Sequence, residues 1–343
     1  RFALLAGFSV IIIPGRPRPR TGRPGRQAVV RVVIRAAVLL VLGYALTALD
    51  TGVDVILSFY GLLFLAVLPL HRLRAGTLAL IGVATALILP QVLYVIRESI
   101  DKGNWADTVI ARDPLARLTD SDGIVELMFT GAYPVLTWIP FVIAGMALAR
   151  LDLTRPGIRA RLALTGTALA VIGYGGSWLA LRLVPHALTA VAAATHDPTA
   201  SAWWSDTVGS PEDHTPPAWL LVAAPHSETT LSVLGNTGVA VVVVAVCLTV
   251  ADRLPRLTRL ARPVAAVGMT ALTVYVLHIV ALWFFTDVWY VASIQSDTMT
   301  ALPPLLGFIA AAALLATAWT RLFRRGPLEH LVHTATLFAR HVR

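Results

Sequence analysis

One cysteine and one lysine stand in 343 residues, and only 14% of the residues carry charge. A lone cysteine, Cys247, excludes an intrachain disulfide. It lies inside an apolar run, where a thiol is expected to be buried, inert packing. The charged fraction is far below the quarter or so usual in soluble domains. With 57% apolar residues and a mean hydropathy of +0.73, it leaves no room for a soluble globular unit. Several chemical signatures are also missing. There is no phosphate-gripping Walker loop, no HExxH, no Gly-x-Ser-x-Gly elbow and no His/Cys/Asp/Glu spacing suited to a metal. No internal repeat is visible, so an inverted-repeat transporter gains no support. A catalytic site, if there is one, belongs to the membrane interior or its outer mouth.

What the chain does have is apolar length. Nine segments are dominated by aliphatic residues: 1–13, 29–49, 53–70, 76–97, 130–149, 161–184, 229–251, 264–286 and 302–321. All but the first reach the roughly 18–24 residues that cross hydrocarbon with some tilt. Lipid leaves backbone groups no partner except within a helix or a closed barrel, and barrel strands would be shorter and alternate in polarity. The predicted fold is therefore all-α, a polytopic transmembrane helical bundle forming one domain over 1–343 with nine spans. The run from Phe2 to Ile13 is too short to span, and Pro14-Gly15-Arg16 follows it in place of a small-residue cleavage site. It reads as the second half of a helix that starts upstream, which makes ten spans in the intact protein.

Charge is sorted between alternate loops. All acids except Asp152, Asp252 and Glu329 fall in one set. That set comprises the turn at Asp50 and Asp54, the long loops 98–129 and 185–228, and the loop 287–301 with Asp287 and Asp297. Most arginines fall in the other set: 14–28 with Arg16 and Arg18, 71–75, 150–160, 252–263 and the tail 322–343. Arginine is retained on the cytoplasmic side of a membrane. The second set is thus predicted to be cytoplasmic, with the C-terminus, and the two long loops extracytoplasmic. The loop 185–228 carries Trp203, Trp204, Trp219, His196, His214 and His226, too aromatic for plain disorder. A net charge of +9 invites a nucleic-acid reading, but the arginines flank apolar spans and make no basic face. Their expected partners are membrane lipids with anionic headgroups and anionic cytosolic ligands, not nucleic acid. Arginine in place of lysine, with an Ala and Gly excess, points to a GC-rich bacterial genome and a bacterial inner membrane.

Few polar residues sit where they invite chemistry. His278 lies within a span, and an intramembrane ionisable group is a functional candidate by default. Tyr275 shares its face one turn earlier. Their functional reading is a general base with its companion; the bland one is a histidine satisfied by a nearby carbonyl or hydroxyl. Arg31 and Arg35 are spaced i, i+4 at the arginine-rich start of a span, a pairing suited to phosphate, though topology and lipid contact would also account for the loop before them. On the acid-rich side stand His226 and Asp50, and within a span Asn236. For each an ordinary role competes: Ser227 as an N-cap with Glu228 in the first turn, a solvated acid pair at Asp50 and Asp54, and helix packing at Gly235-Asn236-Thr237-Gly238.

Several stretches occur in a family-like order: Phe2-Ala3-Leu4-Leu5-Ala6-Gly7-Phe8-Ser9, the arginine-rich loop, Tyr133-Pro134-Val135-Leu136-Thr137-Trp138-Ile139-Pro140 running on to Leu148, Leu272-Thr273-Val274-Tyr275-Val276-Leu277-His278, and Arg325-Gly326-Pro327-Leu328-Glu329. This order resembles the YeiB-like DUF418 membrane proteins of bacteria. They are similar in turn to transmembrane acyltransferases that include heparan-α-glucosaminide N-acetyltransferase. The resemblance implies that an acyl group, usually acetyl, passes from cytosolic acetyl-CoA or another acyl-CoA to an extracytoplasmic acceptor such as an amino sugar or glycan. It implies His278 and Tyr275 as catalytic residues, the only ones here that fall on a family motif of that kind. Arg31 and Arg35 would then meet the CoA phosphates, His226, Asp50 and Asn236 would lie toward the acceptor, and hydroxyls such as Thr270 and Thr273 would be candidates for an oxyanion. A transporter or exporter of an envelope metabolite or lipid-linked glycan is the competing reading. A non-catalytic scaffold in an envelope complex is the third; the expected assembly is a homo-oligomer or an envelope complex.

Overall fold

The computed structural model describes residues 2–15, 19–119, 121–212, 214–285 and 298–341. The expected loop acids Asp287 and Asp297, and Arg16, Arg18 and Arg343, lie outside the described residues. Those described form helices joined by turns, with no strand among them. In chain order they are α1 (Phe2–Ile12), α2 (Gly22–Thr47), α3 (Ile56–Val67), α4 (Ala75–Lys102), α5 (Trp105–Arg112), α6 (Pro114–Thr119), α7 (Val135–Ala149), α8 (Pro156–Ala170), α9 (Gly176–Leu183), α10 (Ala187–Thr195), α11 (Thr230–Arg253), α12 (Pro255–Leu260), α13 (Arg262–Met269), α14 (Ala271–Trp283), α15 (Thr298–Leu322) and α16 (Pro327–Thr336). A π-helical turn, Val171–Gly175, joins α8 to α9 without a break.

Five helical stretches are long and apolar enough to cross a membrane: α2, α4, α8 with α9, α11, and α15 from Leu305. A sixth candidate is α13 with α14, but the two are bent by 82° at Thr270. α1, α3 with the 3-10 turn after it, and α7 are apolar but shorter. The large hydrophobic side chains exposed on these helices, such as Leu80, Ile88, Leu164, Leu314 and Leu315, form the apolar exterior a bilayer requires. Cys247 sits on that exterior, on α11, and not in the core expected for it.

The core is centred on α7, which packs against α1, α3 and α4. Leu63, Leu78, Val142, Ile143 and Met146 are buried there. α1 and α7 approach backbone to backbone. A Cβ at Gly7 would strike the Val142 carbonyl, and one at Gly145 the Leu4 carbonyl. Small residues permit this close crossing where hydrocarbon supplies no hydrophobic drive. It accounts for glycine in both the Phe2–Ser9 and Tyr133–Leu148 stretches.

The loops gather into two ends. At the arginine-rich end, Arg150 donates to the carbonyls of Gly15 (3.1 Å) and His71, tying three turns together. Arg159 donates to Leu248 O at 3.2 Å and pairs with Asp252 at 2.6 Å. Gln27 donates to Arg340 O at 3.2 Å. At the acid-rich end, the segment after α9 builds a small core of its own from Leu181, Val191, Ala202, Val208, Trp219 and Val222. The aromatic content of 185–228 therefore serves folding, as its composition implied.

Candidate functional site

Each end of the bundle holds a cavity. The one at the arginine-rich end has a volume of 530 Å3 and is walled by the N-terminal half of α2, the α13–α14 junction and α16. Arg31 and Arg35 both line it, joined by Arg20, Arg325 and Arg340. The helical i, i+4 spacing brings the first two onto one wall. The Arg35 Nε is buried and meets no hydrogen-bond partner among the described residues. A buried orphan donor is rare enough to call for a ligand or water. The one carboxylate here, Glu329, is already engaged. It accepts from the backbone N–H of Leu272 (2.8 Å) and Thr273 (3.1 Å) and from the Thr273 hydroxyl (2.6 Å). The tail acid thus caps the N-terminus of α14, where four backbone donors begin without partners and the helix dipole favours an anion.

This capping explains the closing motif residue by residue. Pro327 occupies the first position of α16, which suits its missing N–H. A Cβ at Gly326 would collide with the Glu329 carboxylate and the Thr273 hydroxyl, so only glycine lets them close. The Leu328 N–H donates back to Thr273 Oγ1 at 3.1 Å. On the other side of the bend, Thr270 Oγ1 donates to Ala266 O at 3.1 Å. Thr270 and Thr273 are therefore bound within the fold, and the oxyanion role expected of their hydroxyls is not available in this arrangement.

The second cavity, at the acid-rich end, measures 600 Å3. Asp54, Asp101, Asp206, Glu212 and Glu228 line it, against Arg97, His214 and His226. His226 is thus at a cavity wall, as a ligand-facing residue must be. Its Nδ1 lies 3.0 Å from Ala132 O, so Nδ1 carries the proton and Nε2 is the acceptor of the neutral ring. The ring packs edge-on to Tyr133 at 5.6 Å, and Tyr133 in turn meets Trp138 at 5.0 Å and Phe59 at 5.5 Å.

Sequence reasoning missed Glu228. The N-cap of α11 is Thr229, whose hydroxyl accepts from Ser232 N at 3.1 Å, and neither Ser227 nor Glu228 takes the expected capping role. Glu228 turns the other way. Its carboxylate accepts from the Thr137 hydroxyl and, at 3.2 Å, from Trp138 Nε1. Burial pushes the Glu228 carboxyl above the usual range, opposed by the Thr137 hydrogen bond and the nearby Arg97 guanidinium. His226 and Glu228 both adopt left-handed backbone, φ 60° and 59°, where non-glycine residues are strained. Trp219 Nε1 donates to the Ser227 carbonyl at 3.0 Å and holds the turn between them. The Tyr133–Trp138 stretch thus exists as much to receive this turn as to start α7.

The remaining candidates lie elsewhere. Asp50 is exposed in the turn between α2 and α3 and lines neither cavity. Asn236 donates to Ser232 O at 3.0 Å and accepts from Tyr174 OH at 3.2 Å, the helix-packing role. His278 is half-buried, with Nδ1 2.9 Å from Tyr275 O in its own helix. The Tyr275 phenol accepts from Ile56 N at 3.1 Å, two residues from Asp54 of the acid-lined cavity. α14 therefore runs from Leu272, on the arginine-lined cavity, toward the acid-lined one, with His278 about 9 Å further along the axis.

A bundle with this many apolar, outward-facing helices and polar cavities at both ends defines an α-helical membrane protein. Over residues 215–339 the chain matches the model of DUF418, a family described as a protein of unknown function. That region takes in the strained turn at His226–Glu228, the whole of α14 and the Glu329 cap. No curated protein and no solved structure matches the chain.

Proposed function

We propose that this protein is a transmembrane acyltransferase of the bacterial inner membrane, passing an acyl group, most simply acetyl, from cytosolic acyl-CoA to an extracytoplasmic acceptor. The nine apolar helices then cross or enter the bilayer, with the arginine-rich end and the C-terminal tail in the cytosol. The single observation carrying this reading is that two cavities of opposite charge lie at opposite ends of one bundle, with α14 between them. Guanidiniums at Arg20, Arg31, Arg35, Arg325 and Arg340 suit the phosphates of CoA. The acid-lined cavity repels phosphate and suits an uncharged or amine-bearing acceptor such as an amino sugar or glycan. One cargo moving through both would meet opposite fields, which disfavours the exporter. The observation favouring the exporter is the broken span α13–α14.

In the proposed reaction an acceptor hydroxyl or amine attacks the thioester carbon. The new C–O or C–N bond forms, the C–S bond breaks, and the acceptor's proton passes through His278 to the departing CoA thiolate. The test uses vesicles of the intact protein, labelled acetyl-CoA on the cytosolic side and a panel of envelope glycans. Arg35→Ala is expected to raise KM for acetyl-CoA by about 10- to 100-fold, as the loss of a charge-assisted contact of about 1.5–3 kcal/mol implies. Transfer without dependence on Arg31 or Arg35 would move the donor elsewhere.

Sidedness has its own test. In a Cys247→Ser background, Arg20→Cys is expected to react with an impermeant maleimide only in inside-out vesicles, and Thr199→Cys only in intact cells. Labelling of Arg20→Cys from the cell exterior would put the proposed donor entrance on the wrong side.

A further inference from the structure

Of the five long apolar helices α15 is the least covered by protein, with only 6% of its Leu305–Leu322 window buried. At its arginine-rich end a third cavity, of 540 Å3, opens between its last turn and the first turn of α16. Six residues line it: Trp319, Phe323, Arg324, Arg325, Pro327 and His330. Trp319 and Phe323 are stacked, 4.4 Å between centroids and 26° between planes. Trp319 Nε1 donates to Arg325 O at 2.8 Å, which anchors the turn bearing both arginines to the aromatic pair. Among the described residues no carboxylate lines the cavity. Outside it the surface is apolar: Leu322 is 81% exposed and Leu331 54%.

We propose that this cleft is a headgroup site for an anionic phospholipid. Three features converge on that ligand. Stacked aromatics at the end of a span belong to the level where hydrocarbon meets headgroup. Two guanidiniums and an imidazole, with no opposing carboxylate, suit a phosphodiester. The exposed aliphatic side chains of α15 and α16 beside the cleft supply the surface along which acyl chains would lie. The ligand is therefore a lipid and not a free anion: half of the site is apolar and faces the bilayer. Arg325 also lines the 530 Å3 cavity, but Arg324, Trp319 and His330 do not, so the two sites can be separated by mutation. The proposal does not depend on acyl transfer, since an exporter or a scaffold with this cleft would bind the same lipid.

The test is native mass spectrometry of the full-length protein, extracted in mild detergent and exchanged against mixed vesicles of phosphatidylglycerol and phosphatidylcholine. Phosphatidylglycerol is expected to be retained in preference. Arg324→Gln is expected to weaken retention about fivefold, the effect of one interfacial arginine, and Arg324→Glu with Trp319→Ala to abolish it. Arg35→Ala is expected to leave it unchanged. Arg324 is exposed, so Arg324→Gln leaves packing intact. Equal retention of both lipids, or full retention in Arg324→Glu with Trp319→Ala, would overturn the proposal. Displacement of the lipid by excess glycerol 3-phosphate would reassign the cleft to soluble anions and overturn it equally.

Discussion

Glu329→Ala is expected to destabilise the protein by about 3 kcal/mol or more while tightening its hold on anionic ligands. The first half follows from the cap. One carboxylate satisfies the Leu272 and Thr273 N–H groups and the Thr273 hydroxyl at once. Hydrogen bonds to a charged acceptor contribute roughly 1.5–3 kcal/mol each, and removing the acceptor leaves half-buried donors orphaned. These contributions overlap, so the total is set below their sum. α16 is also loosened, because Glu329, together with the Leu328 N–H, fastens the tail to α14. The second half follows from charge. Among the described residues lining that cavity, Glu329 is the only carboxylate beside five arginines. Its loss raises the local positive potential and exposes a helix N-terminus, itself an anion site. The expected result is a lower thermal midpoint in detergent together with a lower KM for acetyl-CoA, or a lower Kd for pyrophosphate if transfer is not the activity. Glu329→Gln, which keeps one acceptor oxygen and part of the cap, should fall between. A variant that lost stability and affinity together would show that the cap orders the cavity and does not compete with ligands for it. Gly326→Ala is the geometric control. It keeps every charge, yet its methyl occupies the space of the Glu329 carboxylate, so it should reproduce the stability loss without abolishing the acid.

Much of this architecture is legible in the sequence because membrane helices are selected by a local property. The runs predicted at 29–49, 76–97 and 229–251 correspond to α2, α4 and α11. Where boundaries differ, polar residues explain it. α2 begins at Gly22 because Arg23, Arg26 and Gln27 continue the helix beyond the apolar stretch, and α4 runs on to Lys102 through Arg97. Hydropathy sees neither, since both extensions leave the apolar slab. The Arg31–Arg35 pair was legible for a related reason: i, i+4 spacing is a property of one helix, and its meaning survives whatever packs against it.

The bend in α13–α14 was not legible. Gly268-Met269-Thr270-Ala271 interrupts no hydrophobic pattern, and the run 264–286 reads as one span. What lets a new helix start at Ala271 is a carboxylate 57 residues beyond Leu272, and no local window contains it. Glu228 was misread for the same reason. In Ser227-Glu228-Thr229-Thr230 several residues are able to cap α11, and an acid near a helix start is normally an electrostatic accessory. Its true partners, Thr137 and Trp138, are about 90 residues earlier in the chain. The one clue available was that a Thr-x-x-Ser cap at Thr229 accounts for the helix start and leaves the acid before it unexplained. Cys247 shows the opposite error. In a soluble protein an apolar run is a core, whereas here the outside of the bundle is as apolar as the inside, so burial cannot be read from hydrophobicity alone.

If acyl transfer is the activity, as proposed, His278→Ala is expected to reduce it by about 100- to 10,000-fold, the usual contribution of a positioned acid–base group, with little change in stability. The stability half rests on what His278 touches. Its Nδ1 interacts with the Tyr275 carbonyl one turn back in its own helix, and its ring lies 5.6 Å from the Tyr275 ring. Neither contact joins it to another element, so truncation should cost about 1 kcal/mol or less in thermal unfolding. The activity half rests on Nε2. With Nδ1 donating to the carbonyl, the neutral ring presents Nε2 as an acceptor, the state a general base requires. Tyr275 supplies the contrast. Its phenol accepts the N–H of Ile56, the first residue of α3, and so joins two helices. Tyr275→Phe therefore strips a partner from a half-buried donor and is expected to lower stability by about 1–3 kcal/mol, whatever it does to turnover. Measured together at saturating acetyl-CoA, the two variants separate chemistry from scaffolding: His278→Ala folded and inactive, Tyr275→Phe destabilised. Full turnover by His278→Ala would remove this histidine from the reaction and leave His226 and Glu228, which face the acid-lined cavity directly, as the groups able to take the acceptor's proton.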